Sequence, residues 1–196
     1  MVLMTSTLDD AVLTGHPEIA GKRVLVTGLS PSLGVDIARA FADHRARLVL
    51  HMADDGAEMQ AVAEIAAASA LDMRLYTGAI ASRDDAKTIA RAAAQCFGGL
   101  DVVVNLVDLA AATRSRRIND VEQTVADLLA SPYLVSRIAA NRMRLTMTPG
   151  LILNVVVPSV RAAEGDVLTA VTRATLATMT RREAEAAQAS SGEQPT

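Results

Sequence analysis

Val24, Leu25 and Val26 form a short apolar run that ends in Thr27 and Gly28, continues through Leu29, Ser30, Pro31, Ser32 and Leu33, and enters helical periodicity at Gly34. A β-type run, a glycine turn and then a 3.6-residue pattern describe a strand feeding a helix. That arrangement suits anion binding, because the first backbone N–H groups of the helix face the turn and can cradle a phosphate. Gly28 and Gly34 serve a tight turn equally well with no ligand present. A second candidate is the basic cluster Arg114, Arg116 and Arg117, which suits a phosphate or carboxylate but reads as a solvated loop. Cys96 is the only cysteine, which excludes an internal disulfide and a spaced-pair zinc cluster. Its place beside Phe97 on an apolar helix reads as a core thiol. His16, His44 and His51 lack metal-ligand spacing, so no metal is expected and each reads as a satisfied or exposed histidine.

The elements that must position these groups alternate. After the strand at Val24–Val26, Leu33, Ile37, Ala38, Phe41 and Ala42 mark a helix over about 33–44. Leu48–Leu50 is a second strand, and Asp54, Asp55 and Gly56 form a turn before a helix over 57–70. Met73–Tyr76 is a third strand. Ser82 is the expected N-cap of the next helix, with Asp84 and Asp85 in its first turn and Gly98 and Gly99 as its stop. Asp101–Leu106 and Leu151–Val157 are the fourth and fifth strands. Between them Val121, Val125, Leu128, Pro132, Val135, Ala139 and Met143 make one long apolar stripe, with a kink expected at Pro132. A last helix over 165–187 carries Leu168, Val171, Thr175 and Met179. Residues 1–20 read as an N-terminal extension, 21–187 as one domain, and 188–196 as a flexible tail. Strands alternating with helices predict an α/β three-layer αβα sandwich around a mostly parallel, doubly wound sheet.

Composition narrows the function classes. With 19 basic against 22 acidic side chains, the net charge of −3 supplies no pull toward nucleic acid or anionic membrane. Aromatic residues are 2% of 196, too few for base- or sugar-stacking platforms. No apolar run of about 18 residues exists to span a bilayer, and Asp9 and Asp10 stand where a leader would be basic and then apolar. The expectation is a cytoplasmic protein with no membrane or nucleic-acid partner.

The Thr27–Gly34 turn, the strand and helix spacing over 21–181, the strands at Ala46–Leu50 and Asp101–Asn105, Ser131-Pro132-Tyr133 and Gly150–Val155 together resemble the short-chain dehydrogenase/reductase superfamily. The resemblance implies a Rossmann-like fold with NAD or NADP as cofactor. It implies cofactor contacts at Gly28, Ser30, Ser32, Leu33, Gly34 and Asn105. Ser32 stands where the family's T-G-x-x-x-G-x-G pattern has its middle glycine. Met52 stands at the ribose-binding position, with Asp54 displaced from it, and Ala79 stands at the adenine-binding Asp. Of the N-N-A-G segment only Asn105 remains, followed by Leu106, Val107 and Asp108. The family's proton relay of Asn, Ser, Tyr and Lys falls on Leu128, Val157, Thr169 and Arg173. An aliphatic alcohol does not replace a phenol whose pKa a lysine lowers, nor does a guanidinium replace that lysine. Ser159 and Tyr133 lie nearby but would need a site built differently.

No catalytic residue is therefore expected. The sequence reads as a non-catalytic binding or regulatory module with weak or no dinucleotide binding. The alternative is an NAD(P)-dependent oxidoreductase with an unorthodox site. By the same resemblance, helices 118–145 and 165–187 would form a homodimer or homo-oligomer interface. The family continues past its Tyr-Lys helix into further strands, whereas this sequence ends at Thr196, so the fifth strand is expected to be an apolar edge that a partner chain covers.

Overall fold

The computed structural model describes residues 16–31, 33–53, 56–80, 82–109, 118–157 and 167–192. Arg114, Arg116, Arg117, Ser32, Asp54 and Ser159 lie outside them. Among the described residues, strands β1 (Arg23–Leu29), β2 (Arg47–Met52), β3 (Asp72–Thr77), β4 (Val102–Asp108) and β5 (Leu151–Val157) form one sheet in the order β3-β2-β1-β4-β5. Every pairing is parallel. The connecting helices are α1 (Val35–Asp43), α2 (Ala57–Ser69), α3 (Arg83–Phe97), α4 (Ile118–Leu145) and α5 (Val167–Gly192). The chain winds outward from β1 to β3, then returns through α3 to lay β4 on the other side of β1. The three-layer, doubly wound arrangement read from the alternating pattern is the observed one.

Strands covered on both faces must be apolar on both faces, which is why β1, β2 and β4 read as nearly unbroken Val/Leu runs. Val24, Val26, Leu48, Leu50 and Met52 pack under Ala38 and Ala42 of α1 and Met59, Ala63 and Ala66 of α2. On the opposite face Leu25, Val49 and Val103 meet Ala86, Ile89 and Ala93 of α3 and Val135, Ala139 and Met143 of α4. Ile19, from the 3-10 turn Pro17–Ile19, packs against the edge of the first core. β5 is the last strand in the order among the described residues, and its Leu151 and Leu153 are 52% and 41% exposed. No helix among the described residues is long and apolar enough to cross a membrane.

Helix boundaries follow local chemistry. The Ser82 hydroxyl accepts from the Asp85 N–H at 3.1 Å while the Asp85 carboxylate accepts from the Ser82 N–H at 2.8 Å, a reciprocal cap. Gly98, at φ +74°, closes the helix. Phe97 is buried with Ala86, Ile89, Ala90 and Ala93, but Cys96 is exposed and approaches the Tyr76 hydroxyl at 3.5 Å. The core thiol expected at Cys96 is thus corrected: one residue of helix rotates a side chain by about 100°, which moves it off the Phe97 stripe. On α5 the expected stripe holds at Met179, which packs against the core, and is corrected at Val171. Val171 is 49% exposed, whereas Thr172 and Leu176 are buried. The helix is turned to put Leu176 into a cluster with Val107 and Leu109. It also runs to Gly192 instead of ending near Ala187, because Ala186 to Ser191 contain no glycine or proline to stop it.

At the amino ends of the strands, Arg23 and Asp101 clasp β1 to β4. Arg23 Nε and its backbone N donate to Asp101 Oδ2 at 2.8 Å each, and Nη2 donates to Oδ1 at 2.7 Å. The Arg23 guanidinium and backbone hold the Asp101 carboxyl below its usual range. A depressed carboxyl pKa stabilises the fold above the unfolded value of about 3.9, and the contribution is lost as pH falls through the lower folded value. Asp101→Asn is expected to lower stability by about 2 kcal/mol at neutral pH, and by much less in acid where the native carboxyl is protonated. Urea denaturation of both proteins across that range measures the difference; a gap independent of pH would contradict it.

Candidate functional site

The carboxyl ends of β1 and β4 flank the point where strand order reverses, the place where open α/β sheets bind ligands. Gly28 and Gly34 both take the left-handed backbone conformation, at φ +77° and +88°. Ser30 and Leu33 exchange backbone hydrogen bonds, N to O at 3.0 Å in each direction, closing the turn on itself. The Ser30 and Leu33 amides, expected from the sequence to face a phosphate, are therefore engaged within the turn. α1 begins after Gly34 with Asp36 in its first turn, an exposed carboxylate where a phosphate would bring like charge.

Leu106 accounts for both glycines. A Cβ on Gly28 would overlap the Leu106 carbonyl oxygen, and a Cβ on Gly34 would overlap Leu106 Cδ1. The close approach that demands glycine is thus made by β4 of this chain. Met52, at the end of β2, is fully buried under α2, and Ala79 is exposed in the loop after β3.

Asn105 is 1% exposed and works inside the sheet. Thr27 Oγ1 donates to Asn105 Oδ1 at 2.8 Å, and Asn105 Nδ2 donates to Ser136 Oγ and Asn154 Oδ1 at 2.9 Å each. Asn154 Nδ2 donates to Thr180 Oγ1 at 2.8 Å, which donates to the Leu176 carbonyl at 2.7 Å. The donors run in one direction from β1 through β4 and β5 to α5, with α4 joined through Ser136. Ser136, Asn154 and Thr180 escaped the sequence reading. Their signal was present as Thr27, Asn105 and Asn154, polar residues interrupting strands otherwise made of Val and Leu, which must find partners when buried.

His51 lies on the same sheet face, one residue beyond Leu50, the partner of Val26. It is 3% exposed, and Nε2 lies 2.7 Å from the Gly78 carbonyl, so Nε2 carries the proton and donates. Nδ1 is buried with no hydrogen-bond partner. Burial pushes its pKa down and keeps the ring neutral. The histidine read as satisfied or exposed is satisfied on one nitrogen only.

The positions of the family's relay hold other surroundings. Leu128 packs with Leu129, Val156 and Met179 against Val107, Leu109 and Leu176, an apolar cluster at the carboxyl ends of β4 and β5. Val157 ends β5, and Arg173 is exposed on α5. Thr169 lies in α5, but its side chain is outside the described residues. Tyr133 accepts from Arg137 Nη1 at 3.0 Å and donates to Glu183 at 3.4 Å, tying α4 to α5.

The described fold and turn agree with a family model, short chain dehydrogenase, that matches residues 22–185. The chain belongs to this family. An uncharacterized oxidoreductase of Thermotoga maritima is 27% identical over 139 residues, covering 70% of this chain and 54% of that protein. Glucose 1-dehydrogenase of Gluconobacter oxydans is 33% identical over 85 residues, covering 43% of this chain and 32% of that protein. The chain thus spans about half, or less, of these relatives' length. Two solved structures share the fold. A short-chain dehydrogenase/reductase of Serratia marcescens superposes with a TM-score of 0.71 at 22% identity, covering 87% of this chain and 70% of that one. The NADH-dependent reductase A1-R' complexed with NAD superposes at 0.68 and 21%, covering 85% and 72%.

Proposed function

We propose that this chain is a non-catalytic binding module built on the short-chain dehydrogenase fold, with weak or no affinity for dinucleotides. The observation that carries this reading is that the polar groups of the β1 turn and of β4 are engaged within the chain. Ser30 and Leu33 bond to each other, the Asn105 side chain is engaged by Thr27, Ser136 and Asn154, and Leu106 packs directly against Gly34. The residues present do not fit a pyrophosphate of the family's cofactor. Apolar packing around Leu128, where a proton relay would need polar groups, supports the same conclusion. Ser32 and Thr169 enter the reading through their residue types alone.

Calorimetric titration with NAD⁺, NADH, NADP⁺ and NADPH tests it. No saturable heat is expected up to millimolar cofactor, and no thermal stabilisation should accompany it. Micromolar binding of any of the four would overturn the proposal. It would favour the second reading, an NAD(P)-dependent oxidoreductase with an unorthodox site, for which the left-handed Gly28 and Gly34 at the reversal of strand order are the supporting observation. The module is proposed to be cytoplasmic and to associate as a homodimer through residues 118–145 and 165–187. Sedimentation equilibrium showing a monomer across the micromolar range would remove the dimer.

A further inference from the structure

The His51 side chain is buried, yet the loop it holds lies in solvent: Thr77, Gly78 and Ala79 are exposed, and Ile80 is half-buried against the core under α3 and α4. The end of β2 grips Gly78 from both sides. The Gly78 N–H donates to the Met52 carbonyl at 3.0 Å, and the Gly78 carbonyl accepts from His51 Nε2 at 2.7 Å. Gly78 itself stands in open space, since a Cβ there would meet no atom within 4 Å. The two hydrogen bonds are therefore what fastens the exit of β3 to the end of β2, and one of them comes from a titratable ring.

The other ring nitrogen makes that bond conditional. Nδ1 is buried with no hydrogen-bond partner. As an acceptor it forgoes one bond, but as an N–H on a charged ring it would cost far more, because a buried charge needs partners. Its neighbours offer none. Tyr76, the partner of His51 on β3, has its hydroxyl at Cys96 of α3, and β1 presents Thr27, whose hydroxyl donates to Asn105. α3 and α4 turn Ala86, Ile89, Val135 and Ala139 to this side of the sheet. Of the charged residues on these elements, Arg74, Arg83, Asp84, Arg91 and Arg137 are exposed, Lys87 pairs with Asp84, and Asp85 closes the Ser82 cap. Burial holds the ring's pKa below its ordinary value, with the Gly78 carbonyl opposing it. We propose that His51 is an acid-sensitive latch: the neutral ring holds Gly78 against β2, and proton uptake at Nδ1 turns the ring out to water and releases the loop after β3 at the carboxyl end of the sheet. The latch acts whether or not a dinucleotide binds at the reversal of strand order.

Opening takes up a proton, so it is favoured as pH falls below about 6.5, the ordinary value of a hydrated imidazole, and is about tenfold easier at about pH 5.5 than at about pH 7.5. The test is hydrogen exchange of the Gly78 amide, read by NMR on the full chain and corrected for the intrinsic rate at each pH. Its protection is expected to fall about tenfold over that range and to remain below that of the Leu25 and Val26 amides in β1. His51→Gln keeps a donor near the Nε2 position and does not titrate, so its Gly78 protection should change less than about twofold. Nitrogen shifts of the ring in the unsubstituted protein give a readout that needs no variant, and the protected state is expected to hold the neutral Nε2–H tautomer. A Gly78 protection that changes less than about twofold with pH overturns the proposal, as does an equal fall in His51→Gln. A ring that becomes charged while Gly78 stays protected overturns it too. So does exchange of Gly78 in step with Leu25 and Val26 at equal protection, which would make His51 an element of global stability and not a latch.

Discussion

Asn105→Leu is expected to lower stability by about 3 kcal/mol or more, since it leaves buried hydrogen-bonding groups without partners. The Asn105 side chain is nearly inaccessible, and its two ends face groups of opposite need: a hydroxyl donor from Thr27 and acceptors from Ser136 and Asn154. Leucine has nearly the same size and fills the space, so the loss measures hydrogen bonding and not a cavity. The pairing also predicts non-additivity. Thr27→Val removes the hydroxyl that Asn105→Leu would strand, so the double variant should be less destabilised than the sum of the singles by about 1 kcal/mol. Urea denaturation of the four proteins closes the cycle. Additive losses, or an Asn105→Leu effect below about 1 kcal/mol, would show that the network does not hold β1, β4 and β5 together.

Gly28→Ala and Gly34→Ala should both destabilise by about 3 kcal/mol, and Leu106→Ala should rescue only the second. Each glycine has a positive φ, which costs a residue with a Cβ about 1–2 kcal/mol. Overlap with Leu106 adds about as much again. At Gly34 the obstacle is the Leu106 side chain, which the alanine removes. At Gly28 it is the Leu106 carbonyl oxygen, part of β4 itself and unaffected by the side chain. In a Leu106→Ala background, itself weakened by the lost packing of a buried leucine, Gly34→Ala should add only the backbone strain while Gly28→Ala keeps its full effect. Thermal or urea unfolding of the six proteins reads this directly. If both glycine substitutions left stability intact and changed only dinucleotide affinity, the close approach would belong to a ligand and the proposed function would fail.

These two predictions show where sequence reasoning reached and where it stopped. Alternation of Val/Leu runs with alanine-rich helical periodicity was enough for the doubly wound sheet, because a strand covered on both faces has few other compositions open to it. Ser82 with Asp85, and Gly98 after Phe97, were legible because caps are made by residues three or four apart. Asn105 was singled out through its place in a family pattern, but its role was not, since its partners stand 31 and 49 residues away. Cys96 and Val171 were misplaced for a related reason. Periodicity gives the spacing of a helix face, whereas its rotation is set by what it packs against, here the cluster around Leu176.

The sequence by itself determined the order of strands and helices, their approximate ends and the turn chemistry at Gly28 and Gly34, all of which depend on neighbours within a turn or on residue type. Only the tertiary structure decided that Leu106 is what the two glycines approach, that Asn105 faces inward, and that His51 ties Gly78 to the end of β2. Those are contacts between segments brought together when parallel strands pair and helices dock, and their geometry comes from the packing of the whole sheet.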